Sequence, residues 1–338
     1  TGSINFGAAF SSVDNIYGLI ELTQTNFNIR GKPRFLGGEG MRGAGQKIRL
    51  NLRAGAERQD VAIDFTEPWL FDRRLSLGVG GYFRDLQFYS DYYDQRDAGG
   101  YISLRKPLGE FSSLSLKVTG ENIEVDVDSD ASDELKEEDG SYTRGLVGLT
   151  YLYDTRDSQY LTRRGHVLSA SIDGSFGDVS NVAVTLRGSK YFLLPLDTIF
   201  SVSGEFRSVD GDDPIFDREF LGGAYSLRGY DYREATTLAL RDENGEPLGG
   251  NTAAYFSLEY SFPIFNLRKV RGHVFYDGGA ISADSWDLGG DYLHDVGFGV
   301  DLFLAALGPV RLDLAWPLEK DRYTDDVQFQ FKMGYRFR

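Results

Sequence analysis

Val327-Gln328-Phe329-Gln330-Phe331-Lys332-Met333-Gly334-Tyr335-Arg336-Phe337 is the stretch that decides the fold. Val327, Phe329, Phe331, Met333, Tyr335 and Phe337 alternate with Gln328, Gln330, Lys332, Gly334 and Arg336, so an extended chain carries one greasy and one polar face. The run is longer than the roughly 5–6 residues usual for strands of soluble sheets. It suits a tilted strand crossing a bilayer, which takes about 9–11 residues.

Working back from this end, the same period recurs near 3–11, 16–25, 46–56, 58–67, 75–86, 96–106, 112–124, 143–154, 165–175 and 181–194. It recurs again near 198–207, 252–262, 270–280, 292–304 and 308–317. With 326–337 these make sixteen strands, an even number, and almost no stretch has a 3.6-residue period. The expected fold is all-β: a 16-stranded antiparallel transmembrane β-barrel filling residues 1–338, with one long extracellular loop folded inward.

Connection lengths follow parity. Counting the first connection as external, the odd ones include 125–142, 208–251, 281–291 and 318–325, whereas even ones such as 195–197 and 305–307 are tight. Long loops on one side and short turns on the other are the outer-membrane barrel pattern. The even connection 26–45, rich in glycine, breaks the rule without an explanation from sequence. Aromatic girdles at the membrane interfaces are expected from Trp69, Phe71, Tyr82, Phe83, Tyr151, Tyr153, Tyr191, Phe192, Trp316 and Phe337.

Composition removes other classes. Thirty-six basic against 51 acidic residues give a net charge of −15, the wrong sign for a nucleic-acid surface. There is no cysteine, and the histidines His166, His273 and His294 lack metal-ligand spacing, so neither a metal nor another cofactor is expected. No nucleophile elbow or triad spacing appears, so no enzyme and no catalytic residue is indicated. No apolar run is long enough for a transmembrane helix, and the chain opens on Thr1-Gly2-Ser3 without a start Met or a signal peptide, as a mature fragment would. The acidic stretch 124–139 reads as a solvated external loop, with divalent-cation binding the minority reading.

The 44-residue connection 208–251 is too long for a hairpin and contains Phe220-Leu221-Gly222-Gly223 and then Leu227-Arg228-Gly229-Tyr230. Elsewhere stand Asp154-Thr155-Arg156-Asp157 with Gly165 eight residues on, Gly249-Gly250-Asn251, Ser257-Leu258-Glu259, Phe262-Pro263 and Phe275-Tyr276-Asp277-Gly278-Gly279. Together these residues resemble the outer-membrane assembly and translocation superfamily whose bacterial insertase is BamA, with relatives in mitochondria, chloroplasts and two-partner secretion. The resemblance implies that the loop between strands eleven and twelve folds into the barrel with an Arg-Gly-aromatic tip, here Arg228, Gly229 and Tyr230. Departures are Tyr230 in place of the commoner Phe, Leu161 where a Pro is usual, and Arg338 one residue beyond the usual terminal aromatic.

Strand parity gives these side chains directions of its own. On 252–262, Phe256, Leu258, Tyr260 and Phe262 face lipid and Ser257 and Glu259 face inward. On 270–280, Val270, Val274 and Tyr276 face lipid and Arg271, His273, Phe275 and Asp277 face the lumen. Arg228 held by Glu259 and Asp277 would be a salt-bridged lock, as the resemblance implies; unrelated lumen charges of a polar pore are the other reading. Gly229 is expected to permit a turn that a Cβ would obstruct, and His273 reads as a polar lumen residue rather than a ligand. Asp154, Arg156, Asp157 and Gly165 form a periplasmic turn, either a charged turn bonded to its own backbone or a family hallmark. The closing seam should involve Gly7, Ala8, Ala9, Phe331, Gly334, Tyr335 and Phe337, where small residues offer little cross-strand packing.

Three functions fit. The first is the central subunit of the β-barrel assembly machinery in the outer membrane of a Gram-negative-type bacterium, inserting outer-membrane proteins through a lateral gate between first and last strands. The others are a polypeptide-secretion pore of the two-partner or TamA type and a passive porin. The resemblance implies periplasmic POTRA domains ahead of this chain, and as partners membrane lipid, unfolded outer-membrane protein clients, periplasmic chaperones and accessory lipoproteins.

Overall fold

The computed structural model describes residues 2–11, 15–31, 41, 43–87, 89–159, 161–264, 267–290, 292–304 and 308–333. Their strands, in chain order, are β1 (Gly2–Ser11), β2 (Asn15–Phe27), β3 (Gln46–Gly55), β4 (Arg58–Glu67), β5 (Ser76–Leu86), β6 (Tyr93–Pro107), β7 (Ser112–Val127) and β8 (Gly140–Asp154). Then come β9 (Gly165–Gly177), β10 (Asn181–Leu194), β11 (Thr198–Gly211), β12 (Thr252–Ile264), β13 (Leu267–Ser282), β14 (Tyr292–Leu304), β15 (Gly308–Pro317) and β16 (Gln328–Met333). One short helix, α1 (Asp133–Lys136), sits between β7 and β8, its first turn capped by the Ser132 hydroxyl, which accepts from the Leu135 amide.

Each strand pairs antiparallel with the next in a single sheet that curls round until β16 meets β1. Among the described residues that meeting is one pair, Ser11 opposite Lys332. The chain after Met333 lies outside the described residues, and β12 and β13 are paired at every residue from Thr252 to Pro263. Hydrocarbon supplies no partner for a backbone amide, so this edge-to-edge pairing is what lets strands cross a membrane.

The period-2 pattern has a direct structural consequence. Val61, Ile63, Val79, Phe83, Ile102 and Leu116 are exposed on the outer surface, as are Val147, Leu149, Leu168, Ile172, Leu186 and Phe298 on later strands. An apolar band of that extent is far larger than the surface patches tolerated in water, and it is what a lipid-facing belt requires. Of the aromatics expected at the interfaces, Trp69 and Phe71 project from the turn between β4 and β5. Tyr82 is a correction: one residue out of phase with exposed Phe83, it turns inward and its hydroxyl donates to Glu121. Phe337 lies outside the described residues.

Buried apolar clusters lie where loops pack. One gathers Tyr93, Ile123, Val125, Leu135, Ile215 and Leu248, joining the β7–β8 connection to the connection that follows β11. The other gathers Leu221, Leu227, Tyr230 and Ala235 of that same connection with Ala253, Ile281 and Leu293 of the wall. Fully burying one such side chain contributes roughly 1.5–3 kcal/mol. The base of the β2–β3 connection is stitched by Asn28 N to Met41 O at 3.0 Å and Gly43 N to Asn26 O at 3.1 Å, while 32–40 lies outside the described residues.

Candidate functional site: the inward loop and its anchor

β11 runs to Gly211, four residues beyond the expected end, and the inward loop spans 212–251. Gly222 and Gly223 take φ +114° and +80°, a conformation costly for residues with a Cβ. Around them the loop closes on itself: the Ser226 hydroxyl accepts from Gly222 N at 2.8 Å, and Gly223 N donates to Tyr230 O at 3.0 Å. This fold drives Leu227 and Arg228 into the wall, both with no solvent exposure.

Arg228 meets β12 and β13 with its whole fork. Its Nε and Nη2 donate to the two oxygens of Asp277 at 2.6 and 2.8 Å, a bidentate pair. Nη1 donates to Glu259 Oε2 at 3.0 Å and Nη2 also reaches Ser257 Oγ at 3.0 Å. The guanidinium lies 3.3 Å above the Phe275 ring centroid, so its face is covered as well as its edges. Removing one partner of such a buried pair costs about 3–5 kcal/mol, because the other charge is left without solvent.

The anchor extends further than the three residues singled out from sequence. Arg311 on β15 forks onto Asp301 of β14, Nε to Oδ1 at 2.6 Å, and onto Glu259, Nη2 to Oε1 at 2.8 Å. His273 of β13 donates from Nε2 to Asp313 Oδ1 of β15 at 2.6 Å. Asp301, Arg311 and Asp313 are readable as inward by parity, since Val300, Leu312 and Leu314 alternate with them. What the residues do not signal is that four strands pool their charges at one spot.

Gly229 sits in a turn closed by Tyr230 N donating to Leu227 O at 3.3 Å, and the obstruction a Cβ would meet comes from the wall. Its φ is not in the left-handed region; instead an added Cβ would run into the Asp295 side chain and the Pro317 backbone. The loop is threaded close against the wall, and glycine is what fits. Tyr230, beside it, donates from its hydroxyl to Glu319 O at 2.8 Å in the β15–β16 connection. Its carbonyl accepts from Gln330 Nε2 of β16 at 3.1 Å, and Lys332 Nζ of β16 donates to Ala224 O at 3.1 Å. The inward loop therefore grips the last strand as well as β12 and β13.

Outside the membrane the loop is clasped by the acidic connection. Glu138 accepts from Arg218 Nη2 at 3.1 Å and from Ile215 N at 3.2 Å. Burial pushes its carboxyl above the ordinary value, although that amide and Arg218 pull it down. On the far side Arg241 packs over Tyr323 at 4.8 Å and stands 3.4 Å from Asp321.

At the periplasmic turn, Arg156 Nε and Nη2 donate to Asp154 at 2.9 and 2.7 Å. Asp157 Oδ1 accepts from Arg163 N and Arg164 N at 2.9 and 3.2 Å. Gly165 has φ +97°, and a Cβ there would strike the Thr155 carbonyl. The turn is bonded to itself and lies at the opposite end from the loop anchor. At the seam, Gly7 is exposed with open space where a Cβ would stand. Phe331 sits on β16 opposite Leu312. Ala8 and Ala9 pair with Gly18 and Tyr17 of β2, whereas Gly334, Tyr335 and Phe337 lie outside the described residues.

Comparison with known proteins is consistent with this geometry. The Omp85 superfamily domain matches residues 41–337. BamA, the outer membrane protein assembly factor of Nitratidesulfovibrio vulgaris, is 25% identical over 311 residues, covering 87% of this chain and 38% of that protein. A sorting and assembly machinery component 50 homolog of Bos taurus is 26% identical over 325 residues, covering 87% of this chain and 67% of that protein. Among solved structures, BamA from Haemophilus ducreyi lacking POTRA domains 1-3 superposes with a TM-score of 0.82 at 19% identity, over 98% of this chain and 69% of that one. CdiB from Escherichia coli gives 0.61 at 13% identity, over 98% and 62%. The chain spans less than half the length of the bacterial relative, and its place is the outer membrane of the Gram-negative type. With its sixteen strands, its inward loop and a domain match over most of its length, the chain belongs to the Omp85 superfamily.

Proposed function

We propose that this barrel is the membrane-embedded subunit of an outer-membrane β-barrel assembly machine, with POTRA domains preceding it in the full-length protein. Unfolded outer-membrane proteins, delivered by periplasmic chaperones and accessory lipoproteins, would be folded and inserted through a gate between β1 and β16. The names of the BamA and component 50 relatives support this reading.

The observation that carries it is the inward loop, locked by Arg228 to the fully paired β12–β13 wall and bonded through Tyr230 and Ala224 to Gln330 and Lys332 of the last strand. Opening of the β1–β16 seam would free a strand edge, a template on which an incoming strand can form backbone hydrogen bonds that spare its amides from lipid. The inward loop fills the lumen that an open sixteen-strand pore would leave as an aqueous channel, which disfavours passive diffusion.

The test is reconstitution of the full-length protein in liposomes with a urea-denatured client barrel. Faster acquisition of the folded, protease-resistant client than in empty liposomes is expected. Client folding at the empty-liposome rate, with export of an extended polypeptide in its place, would overturn the assembly reading for the secretion pore.

A further inference from the structure

Beside the Arg228 anchor lies an arrangement that loop anchoring does not account for. His273 has 1% exposure, and its Nε2 is 2.6 Å from Asp313 Oδ1. A carboxylate only accepts, so Nε2 carries a ring hydrogen, and in the neutral imidazole the lone pair is on Nδ1. Nδ1 makes no hydrogen bond, yet it stands 3.1 Å from Asp301 Oδ2. A ring protonated on both nitrogens pairs there with Asp301 as an imidazolium, whereas a neutral ring turns its lone pair at the carboxylate oxygen and is repelled. A cation bound by both turns the repulsion into two bonds.

Charge is unbalanced around this pair. β12 contributes Glu259, β13 His273 and Asp277, β14 Asp301, β15 Arg311 and Asp313, and the loop Arg228. Four carboxylates face two guanidiniums, and with a neutral His273 the cluster carries two negative charges in excess. Burying unbalanced charge is costly, and a divalent cation would balance it.

We propose that Glu259, His273 Nδ1 and Asp301 form a binding site for a divalent transition-metal ion of the Zn²⁺ type, built into the wall beside the loop anchor. Their ligand atoms lie within 4.8 Å of one another. Donors about 2.1 Å from a tetrahedral ion stand roughly 3.4 Å apart, so the widest pair must close by about an ångström, within reach of side-chain rotation. The separation between Nδ1 and Asp301 Oδ2 already suits two neighbouring ligands on one ion. Asp313 holding the opposite ring nitrogen is the carboxylate–histidine–metal relay that fixes the tautomer of a ligating histidine, and Arg311 bonds both ligand carboxylates from outside. One imidazole and two carboxylates favour Zn²⁺-like ions over Ca²⁺, which takes six to eight oxygens. Because Glu259 also holds Arg228, the ion would stiffen the wall on which the loop is anchored. The site stands whether or not the barrel is an assembly factor.

The experiment strips the purified barrel in detergent with a chelator, reloads it with Zn²⁺ alone and measures retained metal after desalting, with Co²⁺ substitution to read the ligand field from visible absorption. About one ion per chain is expected, with both signals lost in His273→Gln and Asp301→Asn, and affinity lowered roughly 10–100-fold in Asp313→Asn. Folding of each variant is checked by the faster migration of unheated barrels on gels. Should a variant fail to fold, imidazole ¹⁵N NMR of the wild type decides: Zn²⁺ should move the Nδ1 resonance of His273. Retention well below one ion per chain, unchanged retention in a folded His273→Gln barrel, or a doubly protonated ring indifferent to Zn²⁺ would overturn the site.

Discussion

The wall at β12–β13 and the junction at β1–β16 are built from the same kind of strand and meet the inward loop differently. At the wall, every residue from Thr252 to Pro263 has a partner, and the inward face supplies Ser257, Glu259 and Asp277 to one buried arginine. At the seam, Ser11 opposite Lys332 gives the register, Ile4 and Phe6 of β1 lie exposed, and β16 meets the loop through Gln330 and Lys332 bonded to backbone carbonyls rather than through a buried ion pair. Strand pairing alone does not set local strength; inward side chains that bond across strands do. The inward loop links the two regions, since it is fixed to the wall by Arg228 and touches the last strand through Gln330 and Lys332. The last strand and the anchor are thereby linked through one loop.

The sharpest way to break this comparison is to lock the seam. In this cysteine-free chain, Ser11→Cys with Lys332→Cys should form a disulfide that abolishes client insertion, reversed by reductant, whereas Tyr260→Cys with Val274→Cys, opposite each other on β12 and β13, should leave insertion intact. Full activity with the seam demonstrably crosslinked would remove the lateral gate. Next in size, deleting 212–247 should convert a poorly conducting barrel into one with stable, large single-channel conductance in a planar bilayer. High conductance of the intact barrel would count against a lumen filled by the loop.

Arg228→Ala should lower both assembly activity and the heating temperature at which the barrel unfolds on gels, a loss of about 3–5 kcal/mol being the ceiling for a buried charge left alone. Arg228→Glu with Asp277→Arg should recover part of it; equal damage in the single and double variants would mean that the pair is not what anchors the loop.

The smallest effect concerns the external clasp. Burial raises the Glu138 carboxyl despite Arg218, so the folded protein takes up that proton more readily than the unfolded chain. Its contribution to stability is therefore fully present at low pH and is lost as pH rises from the ordinary carboxylate value through the raised one. As pH rises above the ordinary carboxylate value of about 4.3, wild type should lose stability relative to Glu138→Gln, measured by unfolding midpoints; parallel curves would show that the clasp does not titrate.

Much of the barrel is legible in its residues. Alternation places a side chain on one face or the other by geometry that belongs to the strand itself, so sixteen strands, their phases and the inward direction of Glu259, His273 and Asp277 follow from the pattern of residues alone. Tyr82 shows that phase outranks proximity to a strand end, because one step out of register with Phe83 is enough to turn a ring from the membrane interface to the lumen. A turn needing glycine at 229 is legible, but the groups that exclude a Cβ there, Asp295 and Pro317, are remote in sequence and are not. Spacing rules for metal ligands work within one helix or loop, and Glu259, His273 and Asp301 share no such segment.

What the sequence determined by itself was thus local and periodic: strands, faces, the long connection and the charge each strand carries inward. Only the tertiary structure decided which of those charges meet, because strand tilt and stagger set which residues of β12 to β15 lie level, and because a loop entering the lumen adds a contact surface that no strand pattern encodes. The pooling of Glu259, His273, Asp301, Arg311 and Asp313 around Arg228 is a property of that curvature and insertion, and the long-range electrostatics of the anchor follow from it.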